Sequence, residues 1–184
     1  MAEISLNKQL IRPLLMQMRE SASMGQEVGL METCIMHERL LLAQSDDRAE
    51  LLNALGDICS MRHRSREIHH LNHAIVIHED ALRVSSNDQK ILHSSSLGLC
   101  LFHRFEQLGK IIDLDRSVEV QNQAVIHASD NHLGKPFLLD LLGISLLRCF
   151  ENLGDIADLN KSIRVKEDAV RIAPEMITPA NQHF

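Results

Sequence analysis

A stretch of thirty-three residues occurs twice at a fixed step, and this limits the fold more than any other feature of the chain. Residues 97–129, LGLCLFHRFEQLGKIIDLDRSVEVQNQAVIHAS, return 45 positions later as residues 142–174, LGISLLRCFENLGDIADLNKSIRVKEDAVRIAP. Leu97-Gly98 matches Leu142-Gly143, Phe105-Glu106 matches Phe150-Glu151, and Leu108-Gly109 matches Leu153-Gly154. Ser117-Val118 and Ala124-Val125 match Ser162-Ile163 and Ala169-Val170 at the same step. Self-similarity at a few tens of residues implies stacked units, each of which buries its apolar face only against its neighbours.

Two fainter copies precede these. One carries Leu55-Gly56 with Ala74 and Ala81, 42 residues ahead of Leu97, and MRHRSREIHH replaces the FEQLG and FENLG type of turn. The first is marked by Met24-Gly25, nine residues before Thr33-Cys34, the spacing that separates Leu108-Gly109 from Ser117-Val118. The pattern predicts an all-α chain, an α-α superhelix of about four helical hairpins with a period of 42 to 45 residues. The hairpins are expected at 8–44, 45–85, 86–131 and 132–174, with 175–184 a short tail or the start of a next repeat.

Local signals place the helices. An apolar helix over 10–18 is expected with Pro13 in its first turn, where a missing N–H costs little. Asp47 with Glu50, and Ser86 with Gln89, have the spacing of capping boxes. Lys135-Pro136 opens the first helix of the last hairpin, whose residues 137–150 are apolar almost all round and predict burial on most sides. In its second helix Leu159, Ile163 and Val170 form the expected inner face, with Val165, Ala169 and Ile172 beside it and Lys161, Arg164 and Glu167 toward water.

Composition supports this reading. Five Phe, no Trp and no Tyr among 45% hydrophobic residues suit helices packed by aliphatic side chains. A formal charge of −6 argues against a general nucleic-acid or anionic-membrane binder. No window approaches the length of a membrane span, and the N-terminus lacks the apolar core of a signal peptide, so a soluble, cytoplasmic protein is expected. Cys34, Cys59, Cys100 and Cys149 lie in helical patterns without C-x-x-C spacing and are expected as reduced core thiols.

Leu142-Gly143, then Ser162 and Ala169 seven apart, then Pro174 five further on, resemble a tetratricopeptide repeat. Leu97-Gly98 with Ser117 and Ala124, and Leu55-Gly56 with Ala74 and Ala81, repeat the resemblance. It departs in an enlarged inter-helix turn, in the absent Trp and Tyr of the first helix, and in His78, Gln121 and Lys166 at a position often held by an aromatic. The wording RFEQLGKIIDLDRSV and CFENLGDIADLNKSI is similar to long fungal arrays, some of which end in a CHAT protease domain, which is not expected in the ten residues after Pro174. The resemblance implies an interaction scaffold with a concave face made mainly by first helices, and it implies no chemistry or cofactor. Gly56, Gly98, Gly143, Ala74, Ala81, Ser117, Ala124, Ser162 and Ala169 are the expected repeat-packing residues, because small residues let helices approach closely.

Counting six residues back from Gly25, Gly109 and Gly154 gives Arg19, His103 and Arg148, and Arg62 lies near the corresponding place in the second copy. Stacked first helices would align these into a cationic ridge able to grip an acidic peptide segment or a terminal carboxylate. The alternative is solvated i,i+3 pairs, His103 with Glu106 and Arg148 with Glu151. His69 and His73 at i,i+4 could bind a metal with His63 or Glu67, although no fixed further ligand or H-E-x-x-H supports them. No cysteine is presented by a glycine-rich turn, and no phosphate-binding loop occurs. The expectation is a non-catalytic protein-interaction scaffold for a protein or peptide partner. Self-association of a truncated array through its open ends is the alternative, and a metal-binding enzyme built on the His69/His73 cluster a distant one.

Overall fold

The computed structural model describes residues 8–24, 29–42, 47–61 and 68–173. Eight helices and no strand occur among them: α1 Lys8–Ser23, α2 Leu30–Leu42, α3 Arg48–Ser60, α4 Ile68–Val84, α5 Asn87–Leu108, α6 Ile111–His127, α7 Lys135–Leu153 and α8 Ile156–Ile172. They form an α-α superhelix. Helices α3/α4, α5/α6 and α7/α8 pair as tight hairpins, and the second helix of each hairpin lies against the first helix of the next, α2 on α3, α4 on α5 and α6 on α7. First helices also touch in series, α1 with α3, α3 with α5 and α5 with α7, whereas second helices pack closely only at α2 and α4.

Turn chemistry sets the helix ends. Gly109 and Gly154 adopt φ of 66° and 75°, and their N–H groups donate to the Phe105 and Phe150 carbonyls at 2.7 and 2.8 Å. A side chain there would be strained, so Leu108-Gly109 and Leu153-Gly154 are left-handed helix stops. Ser86 and Gln89 form a reciprocal capping box at α5, and Pro136 occupies the first turn of α7.

Two local expectations are corrected. Helix α1 begins at Lys8, so Pro13 lies within the helix and not in its first turn. Asp47 precedes α3 without a side-chain cap. It and Glu50 instead meet Arg12 of α1 at 3.4 and 3.3 Å, because a cross-helix cation competes for the carboxylates that a capping box would use.

The hairpins are built around glycine slots. A Cβ on Gly56 would lie 2.6 Å from the His78 ring, on Gly98 2.6 Å from Gln121 Cγ, and on Gly143 2.7 Å from Lys166 Cγ. Each slot therefore takes the second-helix side chain four residues beyond Ala74, Ser117 or Ser162. The small residues do a related job: Ser117 Oγ donates to the Gly98 carbonyl at 2.8 Å and Ser162 Oγ to the Gly143 carbonyl at 2.7 Å. Ala74, Ala81, Ser117, Ala124, Ser162 and Ala169 are all buried.

The first hairpin lacks this device. Counting from Thr33 as from Ser162, the glycine position falls at Leu14 and the slot-filling position at His37. An isobutyl group stands where the other hairpins leave a gap, and α1 and α2 are not closely packed together. A groove of about 370 Å³ remains between them.

A core running from Ile11, Leu15 and Met18 through Leu52, Leu55, Leu71 and Ile77 to Leu97 and Leu101 joins α1 to α5. Smaller clusters at Phe102, Phe105, Leu114 and Cys149 and at Ala124, Ala128 and Leu138 join α5 to α7. Helix α7 buries Leu138, Leu139, Leu142, Leu146 and Cys149 but leaves Phe137 exposed. Helix α8 keeps Lys161, Arg164 and Glu167 toward water as expected but is rotated so that its inner face shifts. Ser162 and Ala169 are its buried face, and Ile163 and Val170 are 47% and 79% exposed, since the close crossing selects the small residues.

Candidate functional site on the first-helix face

Because the first helices touch in series, their outward residues form one continuous strip across α1, α3, α5 and α7. Arg19, Arg148, Glu106 and Glu151 are exposed and His103 is half-buried. The cations do not stand as a bare ridge. His103 Nδ1 lies 3.3 Å from Glu106, and Arg148 donates to Glu151 at 2.8 Å and approaches Glu106 of the preceding first helix at 3.8 Å. Charges of both signs alternate across α5 and α7. Arg62 lies outside the described residues, and Met61, which caps the end of α3, occupies the corresponding place.

The strip holds one group that sequence reading passed over. Asp57 follows Gly56 where the later repeats have Leu99 and Ile144, an acid-for-aliphatic substitution at a repeat position that could have marked it. Its carboxylate accepts from Asn53 Nδ2 at 3.1 Å and lies 3.7 Å from the Nε2 of the fully buried His78. Burial pushes Asp57 up to about 6, against the opposing pull of a Ser96 hydrogen bond and of Arg19. Burial, with a small contribution from His93, pushes His78 down to about 3. The neutral imidazole thus fills the apolar slot, while the Asp57 carboxylate beside it is 38% exposed and keeps contact with water.

The histidine cluster lies on the opposite, second-helix side and is organised differently from the i,i+4 expectation. His69 is exposed, while His73 turns toward α2. His73 Nε2 lies 3.3 Å from His37 Nδ1, and His37 Nε2 lies 3.0 Å from Asp80, whose other oxygen is held by Arg83. His73 Nδ1 faces Thr33 Oγ1 at 3.3 Å and Cys34 Sγ at 3.8 Å. Both ring nitrogens of each histidine are engaged within this chain of contacts, which bolts α2 to α4. Burial first, then His37 and His70, lowers the His73 pKa. His63 and Glu67 lie outside the described residues, and among the described residues no group of three His, Cys, Asp or Glu is placed to hold a metal ion.

Cys100 and Cys149 are poor nucleophiles where they stand. Burial, with Asp57 and Cys59, pushes Cys100 up to about 12, and burial, with Asp158 and Asp115, pushes Cys149 up to about 11. Cys59 is buried as well, and Cys34 is half-buried. Among the described residues no helix is long and apolar enough to cross a membrane.

No protein-family model matches the chain, and no curated protein matches it. Two solved structures resemble it at 16% identity. One, the DHF58 filament, has a TM-score of 0.48 and covers 88% of this chain and 82% of its own. The other, the de novo designed helical repeat protein DHR64, has a TM-score of 0.44 and covers 90% of this chain and 84% of its own.

Proposed function

We propose that the chain is a tetratricopeptide-like, non-catalytic scaffold that binds a protein or peptide segment along its first-helix strip. The observation that carries this reading is the serial contact of α1, α3, α5 and α7, which sets Arg19, Asp57, His103, Glu106 and Arg148 on adjoining helices. A strip of alternating charge suits a partner segment that carries both signs, with acidic groups competing for Arg148 and basic groups for Glu106 and Asp57. This revises the purely acidic ligand that a bare ridge would take. The distribution of chemistry agrees: the Cys100 and Cys149 thiols are raised, His37 of α2 and His73 of α4 are engaged with each other, and the polar groups left at the surface are suited to recognition.

The test is affinity capture from native extract with the wild-type chain and with a folded Arg19→Glu, Arg148→Glu variant, followed by calorimetry with the recovered partner. The expected result is a partner whose affinity falls at least about tenfold with the variant, a typical loss when an interfacial charge is reversed. Equal affinity for both proteins places the binding surface elsewhere.

A further inference from the structure

Among the described residues, second helices pack closely on each other only where α2 meets α4. At that contact Cys34 stands where the other second helices carry Ile75, Val118 and Ile163, and His73, His37 and Asp80 line up behind it. From the thiol inward, Cys34 Sγ lies 3.8 Å from His73 Nδ1, His73 Nε2 lies 3.3 Å from His37 Nδ1, and His37 Nε2 lies 3.0 Å from Asp80 Oδ2. A nucleophile, a base and the groups that orient the base thus stand in series, the arrangement by which side-chain nucleophiles are activated. Cys34 is half-buried, whereas Cys59, Cys100 and Cys149 are buried, so a small reagent reaches this thiol first.

The ends of the series set the direction of its hydrogen bonds. One Asp80 oxygen is held by Arg83 and the other can only accept, so a neutral His37 carries its proton on Nε2 and leaves Nδ1 as an acceptor. His73 then donates to it from Nε2, and the His73 lone pair stays on Nδ1. Two groups face that lone pair. The Thr33 hydroxyl, 3.3 Å away, already donates to the Leu30 carbonyl at 2.8 Å, which leaves the Cys34 thiol as the donor. Burial, then His37 and His70, lowers the His73 pKa, so at pH 7 the imidazole is neutral and its lone pair is available.

We propose that Cys34 is a modification site for thiol–disulfide exchange with a small disulfide, with His73 as the base. The Cys34 sulfur attacks one sulfur of the disulfide while its proton passes to His73 Nδ1. The S–S bond of the reagent breaks, its electron pair leaves with the second sulfur, and His73 returns the proton to that sulfur. The products are a mixed disulfide on Cys34 and one small thiol; Cys34 is oxidised, the departing half is reduced, and no further oxidant enters. His37 and Asp80 are positioning residues, which hold the His73 tautomer and balance the charge it carries between the two transfers. The site lies on the second-helix side, away from Arg19 and Arg148 of the first-helix strip.

The probe is bis(2-hydroxyethyl) disulfide, with adduct formation followed by intact mass, its position by peptide mapping and folding by circular dichroism. The wild type is expected to take one adduct, on Cys34, and Cys34→Ser none on the same timescale. An unassisted thiol of ordinary pKa slows about eightfold from pH 8 to pH 7, whereas the Cys34 rate is expected to fall less than about threefold, because His73 takes the proton. In Asp80→Asn, Arg83 keeps the amide oxygen, so the amide nitrogen donates to His37 and the series reverses, with a proton on His73 Nδ1. Its rate should drop about tenfold at pH 7 and stay within about twofold of the wild type at pH 9.5, where the thiol ionises without help. His73→Gln removes the base itself and carries the same comparison should Asp80→Asn unfold. An equal loss at both pH values reports altered access and overturns the proposal. So does an unchanged rate at pH 7, a wild type that slows eightfold from pH 8 to pH 7 or takes no adduct, or modification of Cys59, Cys100 or Cys149 as fast as Cys34.

Discussion

At the scale of single residues, the glycine slots and the Asp57–His78 pair decide the most. A methyl group on Gly56 meets a rigid, fully buried ring at 2.6 Å, whereas one on Gly143 meets the stem of Lys166, whose head is at the surface on Asp140. Gly56→Ala is therefore expected to destabilise by about 2 to 3 kcal/mol and Gly143→Ala by about 1 kcal/mol, overpacking exceeding the gain in helix propensity. Urea midpoints of the two variants check the order. The pH response follows from the same pair. An unfolded histidine takes a proton near pH 6.5, but His78 holds its proton off until about 3, so its neutral form loses folding stability as pH falls below 6.5. Its slope approaches about 1.4 kcal/mol per pH unit, and His73 and His93, also lowered by burial, act in the same direction. Asp57 acts oppositely, because the folded state takes up its proton near 6 while the unfolded carboxyl stays ionised to lower pH. Asp57→Asn removes that compensation. Its stability should fall more steeply than the wild type's between pH 6 and pH 4, and superimposable profiles would show that Asp57 remains ionised in the folded state. The Leu-Gly pairs were legible in the sequence; the side chains that fill their slots were not, because spacing along one helix does not say which residue of its partner faces it.

At the scale of helices, the contacts that lock one element to another are individual. Arg104 of α5 holds the buried Asp113 of α6 through two bonds at 2.9 and 2.5 Å, and its remaining nitrogen donates to Asn72 of α4 at 3.1 Å. One guanidinium thus fastens three helices. Arg104→Ala would leave a buried carboxylate without its cation, a loss of about 3 kcal/mol, while Arg148→Ala, which breaks exposed pairs, should cost under about 1 kcal/mol. Thermal unfolding of the two variants measures the difference. The repeat gave no warning of the clasp, since Asp158 recurs 45 residues after Asp113 but Cys149 stands where Arg104 does. The same reason explains Asp47: its spacing to Glu50 is that of a cap, and only the approach of α1 assigns both carboxylates to Arg12. Helix existence was readable from periodicity, whereas inter-helix polar pairing depends on the rotation between units.

At the scale of the molecule, stability should vary along the array. Hairpins α3/α4, α5/α6 and α7/α8 are tightly paired, and the α1/α2 hairpin is held through α3 and α4 and not by its own two helices. Amide exchange is therefore expected to be fastest in α1 and α2 among the eight helices, with the α5/α6 hairpin the most protected. Leu14→Gly should widen the difference, because His37 is held by His73 and Asp80 of α4 and does not fill the vacated place, and glycine costs a helix interior roughly 1 kcal/mol. Mass-resolved exchange on the wild type and this variant tests both statements.

The hydrogen bonds from Ser117 to Gly98 and from Ser162 to Gly143 each span nineteen residues of chain. Register between the two helices of a hairpin is thereby fixed by groups that meet after closure of a short loop, before any neighbour is in place. Folding can begin at α5/α6 or at α7/α8 and spread outward, with little entropy lost to long-range search. The first hairpin, lacking its slot, is poorly suited to begin this process. The order in which the chain acquires structure then runs against the order in which a ribosome would deliver it.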